Sequence, residues 1–263
     1  MKILRGFVIS LALLACAPPH PSARPAPTGS AQFEPEIQKF EVSDREHPPA
    51  PGAVLFVGSS SIERWQTLGA DFPDTRVINR GVGSFQLEDL LYFADRVVIS
   101  YRPRLILVYA GDNDLSAGKS PDRVLSDYQT LVRRIEQKLP QTRIGFISIK
   151  PSPSRWTLAP RMREANRLVR EFSARDPRLF FIDVFTPMLG PDGMPRPELF
   201  VEDMLHMNAK GYEIWKSVIA PYVEDRSAHA FKKTLSTRAY LAGPAPSSLR
   251  IRHTSRTVIV TSS

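Results

Sequence analysis

Three serines close a short apolar run at Gly58-Ser59-Ser60-Ser61, and far along the chain His206 follows Asp203 by three positions. A serine hydroxyl is too weakly acidic to attack a carbonyl unaided, so it needs a neighbouring base. Of the five histidines, His206 is the only one that lies in a loop of this kind inside the apolar part of the chain. If its segment turns, Asp203 reaches the far ring nitrogen, sets the tautomer and stabilises the imidazolium formed during reaction. Two further polar loops carry donors suited to a developing oxyanion: Asn113 in Gly111-Asp112-Asn113-Asp114, and the backbone amides around Gly83 in Asn79-Arg80-Gly81-Val82-Gly83-Ser84. Together these residue types point to acyl transfer through a serine.

Each signal has a plainer meaning. A serine triplet after a strand also suits a helix N-cap, as does an Asp203/His206 pair ahead of a helix. Asp112 and Asp114 suit turn formers far better than metal ligands, and the glycines supply positive φ. What joins the blocks is their place at the ends of apolar runs. Ala53–Val57, Arg76–Asn79, Leu105–Tyr109, Ile144–Ile149 and Leu179–Ile182 are too short for helices and apolar on both faces, as in a covered parallel sheet. Between them, Val124, Leu125, Tyr128, Leu131, Val132 and Ile135 keep helical spacing behind Pro121. Met162, Ala165, Leu168, Val169 and Phe172 do the same, and a last helix is expected over Ala209–Val223. The expected fold is α/β: a three-layer α/β/α sandwich of about five parallel strands, with chemistry at their carboxyl ends.

With those elements in place the four blocks resemble the SGNH/GDSL hydrolase family, named for its Ser, Gly, Asn and His, over about residues 50–223. Val57-Gly58-Ser59-Ser60-Ser61-Ile62 aligns Ser60 with the nucleophile, with Ser59 in place of the usual aspartate. Gly111-Asp112-Asn113-Asp114 matches the Gly-x-Asn-Asp block and implies Asn113 as oxyanion donor. Asp203-x-x-His206 matches the acid and base. The family's oxyanion glycine falls five residues after the asparagine of the second block, which here is Ser84, so the implied donors are the amides of Ser60 and Ser84 with the Asn113 side chain. The Gly-x-Ser-x-Gly elbow of α/β-hydrolases is absent. The resemblance implies a serine esterase working without metal or organic cofactor on a small-molecule ester. Within the family the chain looks most like bacterial relatives of platelet-activating-factor acetylhydrolase subunits, which implies short acyl groups.

The termini read differently from this domain. The chain has 263 residues and a net charge of +8, but Lys2, Arg5 and Arg24 supply +3 and residues 225–263 supply +6, leaving the middle at −1. The basic balance therefore belongs to the ends, and nucleic acid is not an expected partner. Lys2 and Arg5 precede a short apolar stretch, Gly6 to Ala15, too short to span a bilayer. Leu13-Leu14-Ala15-Cys16 resembles a bacterial lipobox, which implies a thiol lipidated at Cys16 and an exported lipoprotein held on the periplasmic or cell-surface side of a membrane. Cys16 is the single cysteine, so no intramolecular disulfide is possible. The expected organisation is a signal segment 1–16, a proline-rich tether and lead-in 17–50, a hydrolase domain 51–224 and a weakly ordered basic tail 225–263. Two rival functions are a non-catalytic binding lipoprotein on the same fold, motivated by Ser84, and a metal-dependent phosphoesterase using Asp112 and Asp114.

Overall fold

The computed structural model describes residues 29–224; Cys16, the proline-rich run after it and the tail 225–263 lie outside the described residues. The five apolar runs form strands β1 (Val54–Gly58), β2 (Val77–Gly81), β3 (Leu105–Tyr109), β4 (Arg143–Ile147) and β5 (Leu179–Ile182). They make one parallel sheet in the order β2-β1-β3-β4-β5, with Gly58 level with both Gly81 and Tyr109. The strand order reverses between β1 and β3. Ligands of such sheets bind beside the switch point, at the carboxyl ends of the strands that flank it.

Nine α-helices lie among the described residues: α1 (Glu34–Glu46), α2 (Ser60–Glu63), α3 (Leu68–Asp71), α4 (Leu87–Tyr92), α5 (Ala94–Val97), α6 (Asp112–Ser116), α7 (Pro121–Lys138), α8 (Ala159–Ser173) and α9 (Ala209–Val223). Alternation along the strands builds two cores. Leu55, Val57, Ile106, Val108, Ile144 and Phe146 face one side, packed by Tyr128, Leu131 and Ile135 of α7 and Met162 and Val169 of α8. Val54, Phe56, Leu105, Leu107 and Tyr109 face the other, packed by Trp65 and by Trp215, Ile219 and Val223 of α9. The helical spacings read from the sequence are thus the buried faces of α7, α8 and α9. Pro121 opens α7, where Ser120 caps by accepting from the Arg123 N–H at 3.1 Å. No helix among the described residues is long and apolar enough to cross a membrane.

The folded body begins earlier than the expected boundary at residue 51. Residues 34–46 form α1, and Ile37 is fully buried in the α7 side core. Arg96 of α5 donates to Glu34 at 2.7 Å and to Glu41 at 2.6 Å, and Asp44 pairs with Arg80 of β2. Arg80 in turn lies against the Phe40 and Tyr101 rings. Only one side chain of α1 reaches the core fully, so its apolar stripe is too thin to announce a packed helix. Phe40, partly buried against the same core, and charge pairing with distant residues supply the rest.

Candidate active site

The β1 strand ends at Gly58 with φ +139°, and a Cβ there would lie 1.8 Å from the Tyr109 carbonyl oxygen on β3. Only glycine lets the chain pass β3 this closely before it turns into α2. The turn is pinned by the Ser59 N–H donating to Tyr109 O at 3.0 Å and the Val82 N–H donating to Gly58 O at 2.9 Å. Ser59 takes the N-cap position with no side-chain capping bond, and Ser60 is the first residue of α2, half-buried at the sheet edge. The Ser60 side chain therefore does not cap the helix. It faces His206, whose Nε2 lies 3.0 Å from Ser60 Oγ.

His206 arrives from the loop ahead of α9. That helix is capped by Asn208, whose Oδ1 accepts from Lys210 N at 2.9 Å and whose amide donates to the carbonyls of Glu198 and Phe200. The loop before it is a tight turn around Asp203: Oδ1 accepts from the N–H groups of Leu205 and His206 at 2.8 Å each, and Oδ2 lies 2.6 Å from His206 Nδ1. Desolvation opposes ionisation of Asp203, but the His206 ring and the two backbone donors outweigh it and hold the carboxyl well below its usual range. A carboxylate on Nδ1 keeps the proton there and leaves the Nε2 lone pair for Ser60. The Asp203 side chain is 45% exposed and that of His206 only 14%, so the acid faces water while the ring is shielded.

The third loop follows β3. Gly111, at φ +102°, turns the chain into α6, and Asn113 Nδ2 donates to the Phe85 carbonyl at 3.0 Å. Its neighbours are not free carboxylates. Asp112 accepts from Lys150 Nζ at 3.2 Å and Arg155 at 2.7 Å. Burial pushes the Asp112 carboxyl up, but the two cations more than reverse this and hold it below its ordinary value. Asp114 accepts from the N–H groups of Leu87 and Gly111 and from Lys119, each at 3.2 Å; burial dominates there and raises its pKa. Both are thus spent within the fold. Ser84 is exposed at φ +65°, a left-handed conformation that favours glycine. The N–H groups of Ser60 and Ser84 take no part in the backbone bonds of the turns and loops.

The model of the GDSL-like lipase/acylhydrolase family matches residues 52–214. The chain belongs to that family. It is accordingly a GDSL-type carboxylic ester hydrolase. It is 23% identical over 206 residues to human platelet-activating factor acetylhydrolase IB subunit alpha1, covering 73% of this chain and 85% of the relative. A GDSL-like lipase from Bacteroides thetaiotaomicron superposes with a TM-score of 0.61 at 19% identity, covering 72% of this chain and 98% of that one. An acetylxylan esterase from Geobacillus stearothermophilus superposes at 0.55 and 15% identity, covering 66% and 95%.

In this GDSL hydrolase the structure brings Ser60, His206 and Asp203 into one chain of contacts from residues up to 146 positions apart. Asn113 and Ser84 stand on the neighbouring loops after β3 and β2, with Asn113 tied to the residue after Ser84 through the Phe85 carbonyl. Sequence reading missed the cations behind Asn113. Lys150 is 1% exposed and bonds to Asp112 and Tyr109, and Arg155 NH1 reaches both Asp112 and Asn113. Nothing in spacing marks these two among 35 basic residues. The one available signal was Asp112 itself, an acid destined for burial at a strand end, which demands a cation.

Proposed function

We propose that this hydrolase cleaves short-chain carboxylic esters, acetyl esters foremost, through an acyl-enzyme on Ser60. The observation that carries the reading is the pair of contacts Ser60 Oγ to His206 Nε2 at 3.0 Å and His206 Nδ1 to Asp203 Oδ2 at 2.6 Å. Ser60 Oγ bonds to the ester carbonyl carbon as its proton passes to Nε2. The carbonyl oxygen takes up the negative charge between the N–H groups of Ser60 and Ser84 and the Asn113 amide. Collapse expels the alcohol, which takes the proton from Nε2. Water then attacks the acyl group, gives a proton to Nε2, and Ser60 Oγ leaves with that proton. Short acyl groups are supported by two of the proteins it resembles, whose names give an acetylhydrolase subunit and an acetylxylan esterase.

The same reading places the enzyme on a membrane through lipidated Cys16, with the proline-rich segment as spacer. Its support is the signal-like segment and lipobox-like Leu13-Leu14-Ala15-Cys16. Full-length protein in detergent should hydrolyse p-nitrophenyl acetate well and the palmitate ester poorly. A phosphonate ester should label Ser60 stoichiometrically. Turnover persisting in Ser60→Ala would overturn the acyl-enzyme, and a preference for palmitate would overturn the acyl-length assignment. Wild type should sediment with membranes and Cys16→Ser should not mature; identical fractionation would overturn the anchor.

A further inference from the structure

The segment after β4 touches both halves of the site. Its 3₁₀ turn, Pro153–Leu158, carries Arg155, whose NH1 donates to Asp112 Oδ1 at 2.7 Å and to Asn113 Oδ1 at 3.0 Å. One residue earlier, Ser154 donates through both its N–H and its Oγ to the Met204 carbonyl, at 3.1 and 3.0 Å. Met204 lies inside the turn between Asp203 and His206, at φ +53°. A single short segment thus grips the base loop with one residue and the Asn113 loop with the next. The guanidinium is itself held from below: Asp112 is buried, and its other oxygen accepts from Lys150 Nζ and from the Tyr109 hydroxyl at 3.3 Å.

We infer that Arg155 is a positioning residue for the reaction: it fixes and polarises the Asn113 amide so that the second Nδ2–H meets the oxyanion. An asparagine amide has two N–H donors and one acceptor oxygen. Here one Nδ2–H goes to the Phe85 carbonyl and the oxygen goes to Arg155. With both ends tied, the amide plane has no rotation left, and the remaining N–H has one direction. A cation on the amide oxygen also draws charge from the nitrogen, strengthening its N–H as a donor, since bonds in a chain polarise one another. The effect appears only as negative charge develops, so it belongs to kcat and not to substrate binding. The Arg155 side chain is 20% exposed, which keeps the guanidinium largely out of competing water. This inference rests on the reading of Asn113 as an oxyanion donor.

A double-mutant cycle in full-length protein tests it, with Arg155→Met, Asn113→Ala and the pair, read as kcat and KM on p-nitrophenyl acetate. Deleting an oxyanion donor costs about 100- to 1000-fold in kcat; loosening its aim should cost less, about 10- to 100-fold, with KM little changed. If Arg155 acts through Asn113, adding Arg155→Met to Asn113→Ala should cost at most about twofold more. Free guanidinium should restore part of the Arg155→Met rate and none of the double variant's. Arg155→Lys keeps the charge on a shorter, non-planar donor and should fall between; its thermal melt separates misfolding from mispositioning. Full additivity in the cycle, or a raised KM at unchanged kcat, would overturn the role of Arg155 and make it a substrate contact. Near-normal turnover in Asn113→Ala would overturn the oxyanion reading itself, and the role of Arg155 with it.

Discussion

Replacing Asp203 by Asn separates the shape of the base loop from its electrostatics. The Oδ1 of Asp203 accepts the Leu205 and His206 amides at 2.8 Å, and an Asn carbonyl can keep both bonds. The other oxygen, 2.6 Å from His206 Nδ1, becomes an amide nitrogen. Its N–H forces Nδ1 to accept, which moves the ring proton to Nε2 and points it at Ser60 Oγ, 3.0 Å away. The lone pair that takes the serine proton in the proposed mechanism is gone. In a buried serine protease triad the same exchange lowers kcat about 10⁴-fold. Here the Asp203 side chain is 45% exposed, and water competes for the amide. The expected loss is therefore smaller, about 100- to 1000-fold in kcat, or ~3–4 kcal/mol of barrier. The assay is initial rate on p-nitrophenyl acetate beside a thermal melt. Asp203→Asn should melt within about 2 °C of wild type, whereas Asp203→Ala should lose both Tm and activity because the two amides lose their partner. The pH dependence follows from the depressed carboxyl. Because its folded pKa lies below the unfolded value of about 3.9, its stabilisation is complete above that value. It is lost as pH falls toward the folded pKa, so the Tm gap between wild type and Asp203→Ala should be flat above about pH 5 and close in stronger acid. Turnover of Asp203→Asn within about threefold of wild type would refute the tautomer argument.

Three further outcomes follow from backbone and burial. Ser84 holds φ +65°, so Ser84→Gly should relieve about 1 kcal/mol of strain, seen as a raised Tm, with activity kept or increased; a loss of rate would mean the Ser84 side chain takes part. Ile37→Ala, at a fully buried position of α1, should cost ~2–5 kcal/mol by urea melt, and an unchanged midpoint would separate α1 from the folded body. Lys150→Met removes one of the two cations holding the Asp112 carboxylate in the interior and should cost ~3–5 kcal/mol, while Lys150→Met with Asp112→Leu should recover part of that loss.

The apolar runs and helical spacings along residues 53–223 are enough by themselves to determine the architecture. Runs apolar on both faces can be covered only by helices on both sides, and Tyr128, Leu131 and Ile135, or Trp215 and Ile219, mark which faces do the covering. The candidate residues were legible for a related reason: a serine and an asparagine at strand ends, and an Asp-x-x-His pair ahead of the last helix, are local features, each readable within a few positions. Three things were decided only by the tertiary structure. The packing of α1 depends on Arg96 and Arg80, which meet it from across the fold, so residues 34–46 carry no strong stripe of their own. The left-handed backbone at Ser84 and Met204 follows from how the loops close, against the ordinary preference of both residue types. The clasp of Ser154 and Arg155 joins Asn113 and Met204 across 42 and 50 positions of chain. Sequence records propensities over a few residues, whereas a buried carboxylate and the cation that neutralises it are matched by proximity in space, which no local pattern encodes.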